Sequence, residues 1–179
     1  MKEEIRRTET LLSEEMIRAR VGELAKEISA DYEEGAEVLL VGVLKGSYIF
    51  MGDLQRELWR NGRDFKVDFM GLSSYDGEKE SSRNPRITAD LTVDVYGKRV
   101  LIVEDIVDTG LSLDFLERFL LERGVVEVKK VAFLSKPSRR EVEVKVEYVG
   151  FEVDGWVEGY GLDTDQSGRG NPELIVVKN

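Results

Sequence analysis

One segment near the middle of the chain constrains the fold more than any other. Residues 100–103 are Val-Leu-Ile-Val, the apolar pattern of a buried strand, and two adjacent carboxylates, Glu104 and Asp105, follow them. A turn with the sequence Asp-Thr-Gly-Leu-Ser at residues 108–112 comes next, and an amphipathic helix pattern leaves it. Open α/β sheets bind ligands at the carboxyl ends of their strands. This order therefore predicts a polar ligand site at the end of a sheet strand.

The alternation of strand and helix patterns extends over most of the chain. Ser13 precedes apolar residues at helical spacing and is predicted to cap a helix. Strand patterns occupy residues 37–44, 65–71 and 129–134, and a second helix after the first of them is predicted to stop at Asn61-Gly62. We therefore predict an α/β fold with a central, mostly parallel twisted sheet flanked by helices.

The pattern changes near the end of the chain. Residues 148–177 contain short β-like segments and glycine-rich turns without a helix pattern, so we expect them to leave the alternation and form a small β-rich lobe. With 179 residues, the chain is predicted to be one domain, 1–179. Its core is expected at about residues 10–147, and a hood is expected mainly from residues 148–179 with the N-terminal segment.

The composition excludes several classes of function. The chain has no Cys and no His, which removes disulfides, thiolate nucleophiles, the commonest general base and the usual zinc ligands. A formal charge of −10 argues against binding to a nucleic-acid backbone. No apolar run approaches the roughly 20 residues of a membrane-spanning helix. The N-terminus is charged and lacks an apolar signal segment, so a cytoplasmic enzyme is expected.

The acid pair and the turn after it suit a sugar phosphate. Glu104 and Asp105 can accept hydrogen bonds from two ribose hydroxyls, or support Mg²⁺ directly or through water. The N–H groups at the start of the following helix, with its Thr and Ser hydroxyls, favour an anion. The alternative interpretation is an ordinary helix cap beside solvated acids, and it is weakened because strand, acid pair and cap occur together.

Residues 103–110, Val-Glu-Asp-Ile-Val-Asp-Thr-Gly, resemble the signature of the type I phosphoribosyltransferases, in the form found in hypoxanthine-guanine phosphoribosyltransferases. The resemblance implies the fold of that family. It also implies that Glu104 and Asp105 hold the ribose hydroxyls of phosphoribosyl pyrophosphate. The residues that it places around the 5′-phosphate are Asp108, Thr109, Gly110, Leu111 and Ser112.

The resemblance extends to the segments around the leaving group. Leu44-Lys45-Gly46-Ser47 is similar to the family's pyrophosphate loop, in which an often cis peptide precedes the lysine. Lys45 and Gly46 are therefore expected to bind pyrophosphate, together with Arg169.

A long loop is expected to close over the reacting centre. Residues 72–86 contain four serines and many charges and are predicted to be a mobile lid. Within them, Ser74 and Tyr75 resemble the opening of the family's flexible loop.

The resemblance also implies a purine site. Lys136 would donate a hydrogen bond to the exocyclic oxygen of a 6-oxopurine, because lysine offers only donors. Trp156 would stack on the base, and the backbone of Val157 would contact the base edge. Asp163 completes this purine-binding set. The implied ligands of Mg²⁺ are Glu104, Asp105 and Asp163.

The activity implied by the resemblance is purine salvage. The 5-phosphoribosyl group would pass from phosphoribosyl pyrophosphate to hypoxanthine or guanine in a Mg²⁺-dependent reaction, giving IMP or GMP. Asp108 would act as general base or hydrogen-bond acceptor at the purine imidazole ring. Relatives form dimers and tetramers, so a homodimer or homotetramer is expected.

Three alternatives remain open at this point. The first is an enzyme of the same family that prefers xanthine or another 6-oxopurine. The second is a regulator that senses phosphoribosyl pyrophosphate or purines and controls nucleic acid, which the net charge of −10 opposes. The third is a Mg²⁺-nucleotide binder without catalysis, which would leave Lys136 and the hood without a role.

Overall fold

The structure is a computed structural model that describes residues 7–73 and 85–178. The helices of the described residues are α1 (Glu14–Ala30), α2 (Tyr48–Arg60) and α3 (Leu111–Glu122), with a short 3₁₀ turn at Pro137–Arg139. The strands are β1 (Arg7–Leu12), β2 (Val38–Leu44), β3 (Lys66–Ser73), β4 (Arg86–Ala89), β5 (Arg99–Val107), β6 (Glu127–Ser135), β7 (Tyr148–Glu152), β8 (Val157–Glu158) and β9 (Leu174–Lys178).

The larger sheet has the strand order β4-β3-β2-β5-β6-β7. Its pairs are parallel except for β4, which runs antiparallel to β3 at one edge. The α/β fold with a mostly parallel sheet is therefore confirmed. β5 lies between β2 and β6, and Gly42 of β2 pairs with Val103 of β5. This register brings the turn after β2 beside the two carboxylates of β5.

Helices cover both faces of this sheet. Leu40 and Leu101 pack with buried residues of α1 and α2 on one face, whereas Leu39 and Ile102 pack with α3 on the other. Successive strand residues point to opposite faces, so a strand that is covered on both sides must be apolar at every position. Each fully buried Leu or Ile contributes about 1.5–3 kcal/mol, which makes these continuous apolar runs the main source of stability.

The predicted helix boundaries are confirmed. The Ser13 side chain accepts a hydrogen bond from the backbone N–H of Met16 at 3.3 Å and caps α1. α2 ends at Arg60, immediately before Asn61 and Gly62. Among the described residues, no helix is long and apolar enough to cross a membrane.

The prediction that the chain leaves the parallel pattern after residue 147 is wrong for its first segment. β7 pairs in parallel with β6 and forms an edge of the larger sheet. The connection from β6 contains no α-helix; instead, Val144 and Val146 of an extended segment pack against the α3 side. Gly150 lets β7 approach β6, because a Cβ there would lie 2.3 Å from the carbonyl oxygen of Phe133.

The smaller sheet has the order β1-β9-β8 and is antiparallel. It pairs the N-terminal segment with the end of the chain, which are the two segments expected to form the hood. Residues 148–152, also expected in the hood, belong to the larger sheet instead. The treatment of residues 1–179 as a single domain, with its core and hood, stays a prediction.

Two boundaries differ from the sequence-based expectations. β5 continues to Val107, so the acid pair lies inside the strand rather than after it. At the predicted loop of residues 72–86, Leu72 and Ser73 belong to β3 and Arg86 belongs to β4. Ser74 and Tyr75 lie outside the described residues.

Asp68 of β3 fixes the segment that leads into β5. Its buried carboxylate accepts hydrogen bonds from the backbone N–H groups of Phe69, Thr92 and Val93 and from the Thr92 hydroxyl, at 2.7–3.2 Å. Burial alone would raise the pKa of Asp68, but these four donors together lower it below its ordinary value of 3.8.

We expect Asp68→Asn to lower the free energy of unfolding by about 1–3 kcal/mol at neutral pH, because an amide nitrogen cannot accept from these donors. The lowered pKa means that the contribution of Asp68 is fully present above about pH 4 and is lost as the pH falls through the folded-state value. Urea unfolding of both proteins at several pH values measures this difference. Exposed Glu122→Gln is the control. An equal difference at neutral and strongly acidic pH would contradict the assignment.

Candidate active site

Two carboxylates meet near the carboxyl end of β5. Glu104 is 7% exposed and Asp105 is half-buried. Although adjacent strand residues normally point apart, the two carboxyl groups are hydrogen-bonded to each other. Asp105 also accepts a hydrogen bond from the backbone N–H of Ile106 at 2.8 Å. The strand thus presents the acid pair as one unit.

The pair retains a proton more readily than free carboxyl groups do. Burial raises the pKa of Glu104 well above its ordinary value of 4.5, and the nearby Asp105 charge raises it further. Burial also raises the pKa of Asp105, but the hydrogen bonds from Glu104 and Ile106 and the positive charge of Arg169 act in the opposite direction. The pKa of each of the two carboxyl groups is therefore raised, because both are buried side by side.

Two glycines bring three separate segments into backbone contact around Asp105. A Cβ on Gly46 would lie 1.4 Å from Oδ2 of Asp105, so the turn after β2 rests directly on that carboxylate. A Cβ on Gly161 would lie 2.1 Å from the carbonyl oxygen of Gly46. Gly161 also has a φ of +99°, which L side chains rarely adopt. The peptide between Leu44 and Lys45 is cis, as the resemblance implies.

The turn after β8 carries an ion pair next to this junction. Arg169 contacts the Asp163 carboxylate at 2.6 Å and donates to the carbonyl of Gly161 at 2.7 Å. The other carboxylate oxygen of Asp163 accepts from the backbone N–H of Gln166 at 2.7 Å. Lys45 donates to the Gln166 side chain at 3.4 Å. Lys45, Gly46, Asp163 and Arg169 are thus brought into one region.

The three implied metal ligands are not brought together. Within residues 7–73 and 85–178, no three acidic side chains lie close enough to hold a metal ion by themselves. The physical reason is that Asp163 is already bound by Arg169 and the Gln166 backbone. Glu104 and Asp105 remain as a pair.

The turn between β5 and α3 is built to receive an anion. Gly110 takes the N-cap position of α3 with a φ of +88°, and no side chain caps the helix there. Leu111 N–H lies 3.4 Å from the Thr109 hydroxyl, while the Ser112 side chain belongs to the first helical turn. The first N–H groups of a helix have no partner within it and carry its positive dipole end. Asp108 lies half-exposed at the start of this turn.

A cation and an indole lie on the side of the hood. Lys136 is 8% exposed, and its ammonium has no ion-pair or hydrogen-bond partner in the described part of the chain. Its backbone N–H donates to the carbonyl of Val107 at 2.9 Å, which ties it to the end of β5. The Trp156 side chain is 58% exposed, and its Nε1 donates to the Thr164 hydroxyl.

The backbone of Val157 faces away from the smaller sheet. β8 is an edge strand, and Val157 lies opposite Val176. Because Val177 N–H bonds to the carbonyl of Trp156, the Val157–Val176 pair is of the non-hydrogen-bonded type. The N–H and C=O of Val157 therefore point away from β9, although the residue as a whole is only 4% exposed.

Sequence reasoning missed three polar residues of this region. Gln166 contacts Lys45, Arg139 contacts Asp108, and Arg140 binds backbone carbonyls of the turn. Consecutive arginines after a strand are a weak signal of such contacts, and Gln166 lies in a polar turn that gives no signal.

The comparisons with known proteins agree with this arrangement. Residues 7–165 match the family model described as phosphoribosyl transferase domain. The chain is 43% identical over 170 residues to a hypoxanthine-guanine phosphoribosyltransferase of Aquifex aeolicus, covering 94% of each chain. It is 42% identical to the hypoxanthine phosphoribosyltransferase of Escherichia coli, over 93% of each. A structure of the Trypanosoma cruzi hypoxanthine phosphoribosyl transferase superposes with a TM-score of 0.90 at 34% identity, covering 99% of this chain and 95% of that one.

The raised pKa of Glu104 predicts a stability cost at neutral pH. A folded-state pKa above the unfolded value means that stability falls as the pH rises between the two. Glutamine is a neutral replacement, so we expect Glu104→Gln to raise the thermal midpoint at neutral pH by about 2–4 °C, the change that roughly 1 kcal/mol produces in a domain of this size.

Thermal unfolding of parent and Glu104→Gln protein over a pH series measures this effect, with exposed Glu122→Gln as control. The gain in midpoint should grow from acidic to neutral pH. A variant less stable than the parent at neutral pH would show that Glu104 is not held protonated.

Proposed function

The chain belongs to the phosphoribosyltransferase family, and from this premise we propose that it transfers the 5-phosphoribosyl group of phosphoribosyl pyrophosphate to hypoxanthine or guanine in purine salvage. The products are IMP or GMP and pyrophosphate. The observation that carries the proposal is the meeting of the acid pair, the Gly46 turn and the uncapped start of α3 at the end of β5. A ribose with an anionic group on each side fits these three features.

The donor is held through its hydroxyls and its phosphates. Glu104 and Asp105 accept hydrogen bonds from the two ribose hydroxyls. The 5′-phosphate lies at the N-terminus of α3, where backbone N–H groups and the side chains of Thr109 and Ser112 surround it. The pyrophosphate is bound by the backbone of Gly46 and by the charges of Lys45 and Arg169.

The donor set of this site fits Mg²⁺ carried by the diphosphate. With no His or Cys in the chain, the available ligands are hard oxygens. Mg²⁺ in phosphate sites needs only one or two protein carboxylates, so the Glu104–Asp105 pair and Asp163, which do not converge on one point, would be alternative sources of a ligand. When bound, the ion neutralises charge that develops on the leaving diphosphate. If Asp163 held the ion, its contact with Arg169 would be released, and the guanidinium would then be available to the leaving group.

The purine lies between Lys136 and the hood. The Lys136 ammonium donates to the 6-oxo group, Trp156 stacks on the ring, and the backbone of Val157, which points away from β9, contacts the base edge. Adenine carries an amino group where the oxo group would be, so a donor would face a donor. The unpaired groups cost about 1–3 kcal/mol, which selects 6-oxopurines.

The chemistry is a displacement at the C1′ carbon of the ribose. The C1′–O bond to pyrophosphate breaks as a purine nitrogen forms its bond to C1′, and the imidazole proton passes to the carboxylate of Asp108. The ribose gains positive charge in the transition state, so the main work of the protein is positioning and charge stabilisation. The proton becomes more acidic as the new bond forms, so an ordinary carboxylate suffices.

The purified protein is tested with phosphoribosyl pyrophosphate and Mg²⁺ by calorimetry, followed by addition of each purine base. We expect turnover heat and nucleotide formation with hypoxanthine or guanine, and none with adenine. A preference for xanthine would keep the proposed reaction but contradict hypoxanthine or guanine as its preferred base. Donor binding without turnover with any base would overturn the proposed activity. Removal of Mg²⁺ with EDTA tests the metal requirement, and we expect it to abolish turnover.

We expect Asp108→Asn to lower kcat by about 10²–10⁴-fold, the usual contribution of general acid–base help, with little effect on purine binding. The neutral amide cannot take the proton, while the backbone of the turn is unchanged. Steady-state kinetics with both substrates measures the effect. Asp114→Asn, on the first turn of the same helix, is the matched control. Unchanged turnover in Asp108→Asn would remove Asp108 from this role.

We also propose that the protein forms a homodimer or homotetramer. The structure of the Trypanosoma cruzi relative concerns the role of its C-terminal region in oligomeric state. In this chain, α2 exposes 45% of Tyr48 and 65% of Trp59. They lie on the same side of the helix, because eleven residues make about three turns. A second copy covering these two exposed aromatic side chains is the proposed contact. A cytoplasmic location stays a prediction of the sequence.

We expect light scattering to give two or four times the chain mass of 20.3 kDa for the parent. Trp59→Glu should shift the mass towards that of one chain, because a charge would be buried in the contact. Val126→Glu, also at a well-exposed apolar position but outside α2, should leave the mass unchanged. The same assembly in both variants would rule out the α2 contact.

A further inference from the structure

Hydrogen bonds from residues 136–142 hold the turn that carries Asp108. Arg140 donates to the carbonyl groups of Val107 and Asp108 at 2.6 and 2.5 Å and to the Ser135 hydroxyl at 2.9 Å. The backbone N–H groups of residues 141 and 142 both donate to the carbonyl of Thr109. The main chain around Asp108 is thus fixed by the segment that follows β6.

The neighbouring arginine contacts the side chain of Asp108 instead. Nε of Arg139 donates to Oδ1 of Asp108 at 2.7 Å. The second carboxylate oxygen, Oδ2, accepts no hydrogen bond from any described residue. The two side chains are 62% and 39% exposed, and an ion pair between groups so exposed contributes little to folding stability. Its consequence is the orientation of the carboxylate.

The same 3₁₀ turn also contacts the hood. Ser138 donates to the carboxylate of Asp154 at 2.9 Å, two residues before Trp156. Lys136 immediately precedes the turn. Within this short segment, Lys136 thus flanks the base-binding side of the site, Ser138 contacts the hood and Arg139 contacts the Asp108 carboxylate.

We propose that Arg139 is a positioning residue that holds Asp108 through Oδ1 and leaves Oδ2 free to accept the proton of the purine imidazole ring. This inference rests on the proposed function of the site. An arginine is suited to the role because its guanidinium stays charged at all working pH values and its donors are rigidly placed. Without it, the carboxylate can rotate and bind water, and fewer enzyme–substrate complexes have the oxygen in line with the proton.

Arg139→Gln tests the role by kinetics. We expect kcat to fall about tenfold, a fraction of the roughly 10²–10⁴-fold that general acid–base help supplies. KM for phosphoribosyl pyrophosphate should stay within about twofold of the parent, since Arg139 is not assigned to the donor. Arg139→Lys keeps a charged donor and should recover most of kcat. Arg118→Gln, which removes another exposed arginine–aspartate pair on α3, should match the parent.

A double-mutant cycle separates positioning from a merely structural role. If Arg139 acts through Asp108, adding Arg139→Gln to Asp108→Asn should lower kcat no further. Independent losses that multiply would overturn the proposal, as would a higher kcat in Arg139→Gln, which would mean that the ion pair restrains Asp108. A raised KM for phosphoribosyl pyrophosphate would assign Arg139 to the donor instead.

Thermal unfolding of each variant shows whether it folds, and Arg139→Lys can be tested in the same way if Arg139→Gln does not fold. The parent, measured in parallel, distinguishes failure of the proposed function from failure of the proposed role of Arg139. An inactive parent contradicts the proposed function, whereas an active parent with unaffected Arg139 variants contradicts only the role of Arg139.

Discussion

The site depends on the close approach of backbone to carboxylate at Asp105. Because Gly46 has no side chain, the turn after β2 can rest on Oδ2 of Asp105, and Gly161 can in turn rest on the carbonyl of Gly46. Any Cβ at either position would have to displace one of these atoms. The contact joins the ends of two neighbouring parallel strands to the turn that carries Asp163 and Arg169. The acid pair, the Lys45 turn and the hood consequently hold one another in place.

The junction keeps Glu104 and Asp105 buried side by side, an arrangement that lowers the stability of the fold. Burial of Glu104 beside Asp105 raises the pKa of Glu104 and opposes ionisation, so the pair costs free energy at neutral pH. The apolar runs of β2, β5 and β6, covered by helices on both faces, offset that cost. Asp68 shows the opposite case, because four donors satisfy it and it stabilises the segment leading into β5. A buried carboxylate therefore stabilises the fold in β3, whereas in β5 the acid pair lowers stability and is proposed to bind the donor.

Local patterns were sufficient to predict the elements that position the site. The apolar run of β5, the Ser13 cap and the stop after Arg60 depend on neighbours in sequence, and the structure confirms each. The parallel pairing of β7 with β6 was not predicted, because the five residues of β7 do not reveal their partner strand. The connection between the two strands also packs as an extended segment instead of a helix. The contacts of Arg139 and Gln166 join residues 31 and 121 positions apart, and no local spacing predicts them. The ion pair of Asp163 with Arg169 is also a tertiary contact, so no local spacing predicts it, and the metal-ligand role of Asp163 stays a prediction.

Each acidic group of the site already has a partner within the chain. Glu104 and Asp105 are hydrogen-bonded to each other, Asp163 pairs with Arg169, and Asp108 pairs with Arg139. Under the proposed function, a donor that brought both a diphosphate and a divalent cation would offer a cation to Asp163 and an anion to Arg169, and so would replace both halves of that ion pair. The Asp108–Arg139 pair differs, because Arg139 binds only one carboxylate oxygen of Asp108 and the other oxygen remains able to take a proton. Under the proposed function, Asp163 would therefore change partners when the donor binds, whereas Asp108 would keep Arg139 through the reaction.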